Sequence, residues 1–397
     1  MEVDTQKPSL TAFLSVGFRA FFALGMLFSA LAMGLWGAFW SASVDVSVFN
    51  PFGGFLFWHG HEFIMGFALA IVIGFLLTAV QNWTSLNTTT PFTLALLILS
   101  WIVARMAILL GNEWPAYLVL FLAILPIISA AVMIARPIIK RKLWRNLFAP
   151  IALLMITLID GRLIYSVINQ QPLPSSLFFI AILFICVLIS VIGGRVIPMF
   201  IANKLGIKKT AEPQFLFLMC ILPLPLLMLI QLVAPFVGSE FFASLLCFCI
   251  VIGHGLRVRR WFHKGTLLQP MLWSLWLFYA CLPLGFLIMA FKAYAPMMDI
   301  GISSIALHVI TVGAISGLII SMVSRVSLGH TGHTITHDKW IVMSFALLAT
   351  SLLLRTLGVL ILGFSPALIT LSAVLFSLAF GGIFIRFILI WLSPRVK

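Results

Sequence analysis

The chain is a succession of long apolar runs broken by short polar stretches. Read against a window of about 19 residues, the runs predict helices at 20–40, 61–80, 91–111, 115–135, 147–168, 177–200, 214–235, 239–253, 267–291, 301–324, 340–363 and 367–391. The eighth is the shortest. About 20 apolar residues cross the hydrocarbon core of a bilayer, and a helix satisfies its own backbone there. The pattern predicts an all-α polytopic membrane protein, a bundle of about twelve transmembrane helices forming a single domain over residues 1–397. Ala30-Leu31-Ala32 in the first run resembles a signal-peptidase site. Apolar residues continue to Trp40, so a retained helix is expected.

Composition sharpens this reading. Hydrophobic residues make up 62% of the chain and charged residues 9%, against about 25% charged in a soluble domain. That is too little polar surface to coat a water-soluble body, and the lipid bilayer is the expected partner. The net charge of +14 sits in short loops, where it sets orientation, so no nucleic acid is expected.

Arg136, Lys140, Arg141, Lys142 and Arg145 follow the fourth run, and Lys204, Lys208 and Lys209 follow the sixth. Arg257, Arg259, Arg260 and Lys264 follow the eighth, and Lys7, Lys339, Arg395 and Lys397 share that side. Opposite loops offer little beyond Lys292. The positive-inside rule then puts both termini in the cytoplasm. The cysteines (Cys186, Cys220, Cys247, Cys249, Cys281) all lie in apolar runs without CxxC spacing and read as small buried hydrophobes.

Ionisable side chains within a span are expensive and mark function by default. At 1.5 Å per residue, Arg105, Asp160, Arg162, Arg355 and His308 each lie roughly 9–12 Å from the outer end of their helix. His59, His61 and Glu62 stand at the outer mouth of the second. One reading is structural: Asp160 pairs with an arginine and the others snorkel. The other notes the excess of positive charge in this layer and seeks an anion, either haem propionates or a transported solute.

In the segment WHGHE, His59 and His61 would point about 200° apart on a regular helix. They could share a ligand only if the helix began between them, which Gly53, Gly54 and Gly60 suggest. Imidazole is a general ligand for haem iron and copper. On the inner side, Arg19, Arg195 and Arg325 are candidates for anionic groups, or interfacial anchors. The segment SRVSLGHTGHTITH, with His330, His333 and His337, reads as a loop.

The chain resembles the NnrS family of bacterial membrane proteins in VGFRAFF, in WHGHEFIMGF continuing into GFLLTAVQNWT, in GGRVIPMF, and in ALHVITVGAISG continuing into SRVSLGHTGH. The matching residues are Arg19, His59, His61, Glu62, Asn82, Trp83, Arg195, Pro198, His308, Arg325, Gly329 and His330; departures fall at Ala20, Gly60, Gln81, Gly194 and His333. The resemblance implies a twelve-helix protein of the bacterial inner membrane that contains haem b and copper. It also implies a role in the response to nitric oxide and nitrosative stress, associated with denitrification. Under it, His61 and His308 become expected haem ligands, and His59, with Glu62 or a methionine, is expected either to ligate copper or to support the ligands. Arg105, Arg162 and Arg355 would neutralise propionates, and His330 joins the cofactor-binding candidates. Nitric oxide is the expected ligand of a redox or gas-handling centre; only turnover of nitric oxide there would make the protein a haem-dependent oxidoreductase. The competing expectations are a secondary transporter of a small anion through an arginine-lined site, and a nitric oxide sensor or assembly factor.

Overall fold

The computed structural model describes residues 7–41, 45–172, 175–233, 239–291, 299–336 and 338–396. The expectations for Lys292, His337 and Lys397 lie outside these residues. Among the described residues there is no strand, and twelve helices are long and apolar enough to cross a membrane. We number them α1 (Gly17–Ser41), α2 (Gly54–Thr84), α3 (Pro91–Leu110), α4 (Ala116–Lys140), α5 (Trp144–Ile168), α6 (Ser175–Leu205), α7 (Gln214–Val233), α8 (Ser239–Trp261), α9 (Pro270–Phe291), α10 (Gly301–His330), α11 (Lys339–Leu362) and α12 (Pro366–Leu392).

The chain forms two compact units. The first comprises Met1–Phe178, Val326–Ile335 and Phe380–Lys397; the second comprises Phe179–Arg325 and Thr336–Ala379. In each, glycines let helices approach closely, as expected where lipid supplies no hydrophobic drive between helices. In the first unit, Gly17 lies against Leu77, Gly74 against Phe21 and Gly25 against Ile71, so that a Cβ at any of the three would clash. In the second, Gly285 lies against Ile310, Gly313 against Cys281 and Gly317 against Phe278.

Three of the shifts in predicted boundaries bear on the site. Helix α2 begins at Gly54, preceded by Gly53 at φ 74° with Gly54 itself at φ 81°, a left-handed pair that only glycine adopts easily. Both His59 and His61 therefore lie inside the helix, and the expected start between them is not found. Helix α8 runs to Trp261 rather than ending at residue 253, which places His254 and Arg257 inside a span. Helix α10 runs to His330, so the first part of the expected loop is its last turn.

Three spans contain π-helical turns: Glu62–Ala68 in α2, Val309–Ser316 in α10 and Leu354–Gly358 in α11. Such turns widen the i→i−4 ladder locally and often occur at functional sites. The first directly follows His61, the second directly follows His308, and the third contains Arg355.

Candidate functional site: a buried ionic chain and a histidine at a π turn

In the first unit, four ionisable side chains join across three helices. Arg105 of α3 donates from Nη1 to Glu62 Oε1 at 2.5 Å. The His61 ring of α2 has Nδ1 2.8 Å from Glu62 Oε1 and Nε2 2.6 Å from Asp160 Oδ1 on α5. His61, Glu62 and Asp160 are fully buried and Arg105 nearly so. The order is Arg105–Glu62–His61–Asp160, so Asp160 pairs with a histidine rather than with an arginine.

Each ring nitrogen faces a carboxylate oxygen, and each of those contacts needs a proton. The ring is either an imidazolium donating twice, or a neutral ring with one carboxylic acid. Both distributions give the four groups zero net charge, which is what burial requires, since an unpaired buried ion is heavily penalised. Gly66 makes room for the pair: a Cβ there would sit 2.9 Å from both Arg105 Nη1 and Glu62 Oε2. Its carbonyl accepts from Trp101 Nε1 at 3.3 Å. Glu62 Oε2 and Asp160 Oδ2 are buried without a hydrogen-bond partner.

His59 leaves this chain altogether. Two residues before His61 on the same helix, it points the other way and stacks on Trp36 with ring centroids 4.2 Å apart at 12°. The two histidines therefore do not converge.

In the second unit, His308 closes the first α-helical part of α10 and is half-buried. Its Nδ1–H donates to the Ser304 carbonyl at 2.6 Å. That bond selects the tautomer whose lone pair is on Nε2, the arrangement that metal-ligating histidines commonly use. Arg355 of α11 donates to the Ser304 hydroxyl at 3.1 Å. Two expected residues thus meet around one serine.

The remaining expected residues are dispersed. Arg19 is buried, and its Nη1 donates to the carbonyls of Ile390 (3.3 Å), Trp391 (3.0 Å) and Ser393, capping the end of α12. Arg162 is exposed, donates to Ser166 and Gln171, and lies over Tyr165. Arg195 is exposed on α6. His330 is exposed, its ring 5.6 Å from that of Phe18. Arg325 is buried over the Phe200 ring.

A second buried polar cluster escaped the sequence reading. On α8, Arg257 grips Glu212 through Nε (2.5 Å) and Nη2 (3.0 Å), and donates from Nη1 to Ser190 O (2.7 Å) and Tyr279 Oη (3.0 Å). His254 Nε2 lies 3.1 Å from the Cys220 carbonyl, which can only accept, so Nδ1 accepts the Tyr279 O–H at 2.7 Å. Two signals were available. His254 and Arg257 are spaced i, i+3, and tyrosine is rare in this chain, with 4 in all.

A model of the NnrS protein family matches residues 12–395, nearly the whole chain. The chain belongs to the NnrS family. No curated protein matches it. As an NnrS-family member it is a multi-pass membrane protein whose twelve spans carry both polar clusters. The segment WHGHE on α2 supplies His61 and Glu62 of the ionic chain, and ALHVITVGAISG on α10 supplies His308 and its π turn.

Proposed function

We propose that this NnrS-family protein acts in the response to nitric oxide and nitrosative stress, in the bacterial inner membrane with both termini cytoplasmic. In this reading it binds a haem through His308. The observation that carries it is the Ser304 arrangement: a histidine with its lone pair on Nε2, beside an arginine on the next helix. The donor chemistry fits a haem. A neutral imidazole held by a backbone carbonyl would suit haem iron as a ligand, and Arg355 is a cation of the kind that propionates require. When bound, the haem would supply an iron that binds nitric oxide and exchanges an electron.

The chain's own residues do the rest. The Ser304 carbonyl orients the His308 ring. Ile305, Val309 and Val312, near His308 along the same helix, are buried. Nitric oxide, an apolar gas, partitions into the surrounding lipid and reaches such a site laterally.

The ionic chain fits a metal less well. Both His61 nitrogens are committed to carboxylates, so iron ligation there requires one of those bonds to open. Copper at His59 and Glu62 is not supported either: His59 faces Trp36, and Glu62 Oε1 is held by Arg105 and His61. Among the described residues no group of three His, Cys, Asp or Glu side chains is disposed to hold a metal ion. The transporter reading is less well supported, because Arg105 is paired with Glu62 and Arg162 is exposed.

A visible spectrum with iron analysis of the purified protein tests the proposal. The expected result is a Soret band with stoichiometric iron in the wild type, and its loss in His308→Ala. Wild-type protein without haem, or full haem retention in His308→Ala, would overturn it.

A further inference from the structure

Among the described residues four arginines are buried: Arg19, Arg105, Arg257 and Arg325. The first three have acceptors suited to a guanidinium. Arg19 caps carbonyls of α12, Arg105 holds Glu62, and Arg257 holds Glu212 in a bidentate grip. Arg325 differs. Its Nε and Nη1 are buried with no hydrogen-bond partner, and its guanidinium lies 4.1 Å above the Phe200 ring. It is 5% exposed.

An aromatic face stabilises a cation from one side but accepts none of its in-plane N–H donors. Three N–H bonds, one on Nε and two on Nη1, therefore point at nothing the chain provides. Neither burial nor the ring accounts for a cation kept in this state, whereas an oxyanion does: guanidinium donors are matched in geometry and charge to phosphate and carboxylate oxygens.

We propose that Arg325 and Phe200 form an oxyanion site at the basic ends of α6 and α10, and that its occupant is a phosphate group. Position argues for phosphate. Arg325 lies five residues before His330, the last residue of α10, or roughly 7.5 Å along the helix. That is the level at which lipid phosphates meet the ends of spanning helices. Exposed Lys204 stands one turn beyond Phe200 on α6, with Lys208 and Lys209 following, and such basic clusters draw anionic headgroups. The phosphate belongs either to an anionic phospholipid or to free inorganic phosphate. The site is independent of the haem assignment, because its readout needs no haem.

Native mass spectrometry of the detergent-purified protein tests it, with phosphatidylglycerol, phosphatidylcholine and inorganic phosphate as separate probes. The wild type is expected to bind phosphatidylglycerol at least tenfold more tightly than phosphatidylcholine. Arg325→Gln should abolish that preference, and Arg325→Lys should keep part of it as a point charge. Partial retention by Arg325→Lys guards against misfolding of the Arg325 variants, and Phe200→Leu, which removes the ring beneath the cation, should weaken phosphate binding less than Arg325→Gln does. If inorganic phosphate binds to the wild type and displaces the lipid, the free anion is the occupant and the site stands. Equal binding of every probe by wild type and Arg325→Gln would overturn it.

Discussion

Replacing Arg105 with methionine removes one positive charge from a buried network that otherwise sums to zero. Glu62 and Asp160 would then flank one imidazolium, leaving a net charge of −1 in a fully buried place. With charge centres about 4 Å apart and an effective dielectric near 20, the lost attraction is about 4 kcal/mol. Breaking a buried pair by deleting one partner costs about 3–5 kcal/mol, because the survivor is left uncompensated. Arg105→Met should destabilise the protein by that amount. Glu62→Gln should do so comparably, by leaving a net charge of +1.

The double variant Glu62→Gln/Arg105→Met returns the network to zero, with His61 and Asp160 still paired. It should lose only about 1–2 kcal/mol, of the order of its missing hydrogen bonds. Thermal and denaturant unfolding of the four proteins in one detergent closes the cycle. A coupling energy below about 0.5 kcal/mol, the level at which independent sites add, would refute the charge argument.

Other outcomes follow from neighbouring contacts. Gly66→Ala places a methyl 2.9 Å from Arg105 Nη1 and Glu62 Oε2; the overpacking should cost about 1–3 kcal/mol in the same unfolding assay. Arg19→Ala should fray the end of α12, read as faster amide exchange around residues 390–393, with spans such as α3 unchanged. Tyr279→Phe removes the O–H that His254 Nδ1 accepts and the oxygen that Arg257 Nη1 reaches, and should cost about 1–3 kcal/mol. His333 lies beyond the end of α10, and partial burial, with Arg386 and Arg19 nearby, holds its pKa below the usual histidine value. The unfolded chain therefore takes up that proton more readily than the folded one. This contribution to stability is present above the unfolded pKa of about 6.5 and is lost as pH falls through and below it. A melting-temperature profile against pH should flatten on the acid side in His333→Gln.

The spans were legible in the sequence because hydrocarbon leaves little choice. Any segment crossing it must be helical and apolar over about 20 residues, so hydropathy alone locates twelve helices. The expensive residues were legible for the same reason: His61, Glu62, Arg105, Asp160, His308 and Arg355 stood out against an apolar background. Which of them meet was not. Pairing depends on how each helix is rotated, and a single π turn resets the rotation of everything after it. Three such turns lie in α2, α10 and α11, and no hydrophobic pattern announces them. The left-handed Gly53-Gly54 start put both histidines of WHGHE in one helix, so their side chains diverge where a later start would have let them converge. The extension of α8 to Trp261 turned Arg257 from an apparent loop anchor into the centre of a buried cluster. Local chemistry thus determined the solvent, the span lengths and the polar candidates. Partnership was decided by helix phase and register, which arise only when the spans pack.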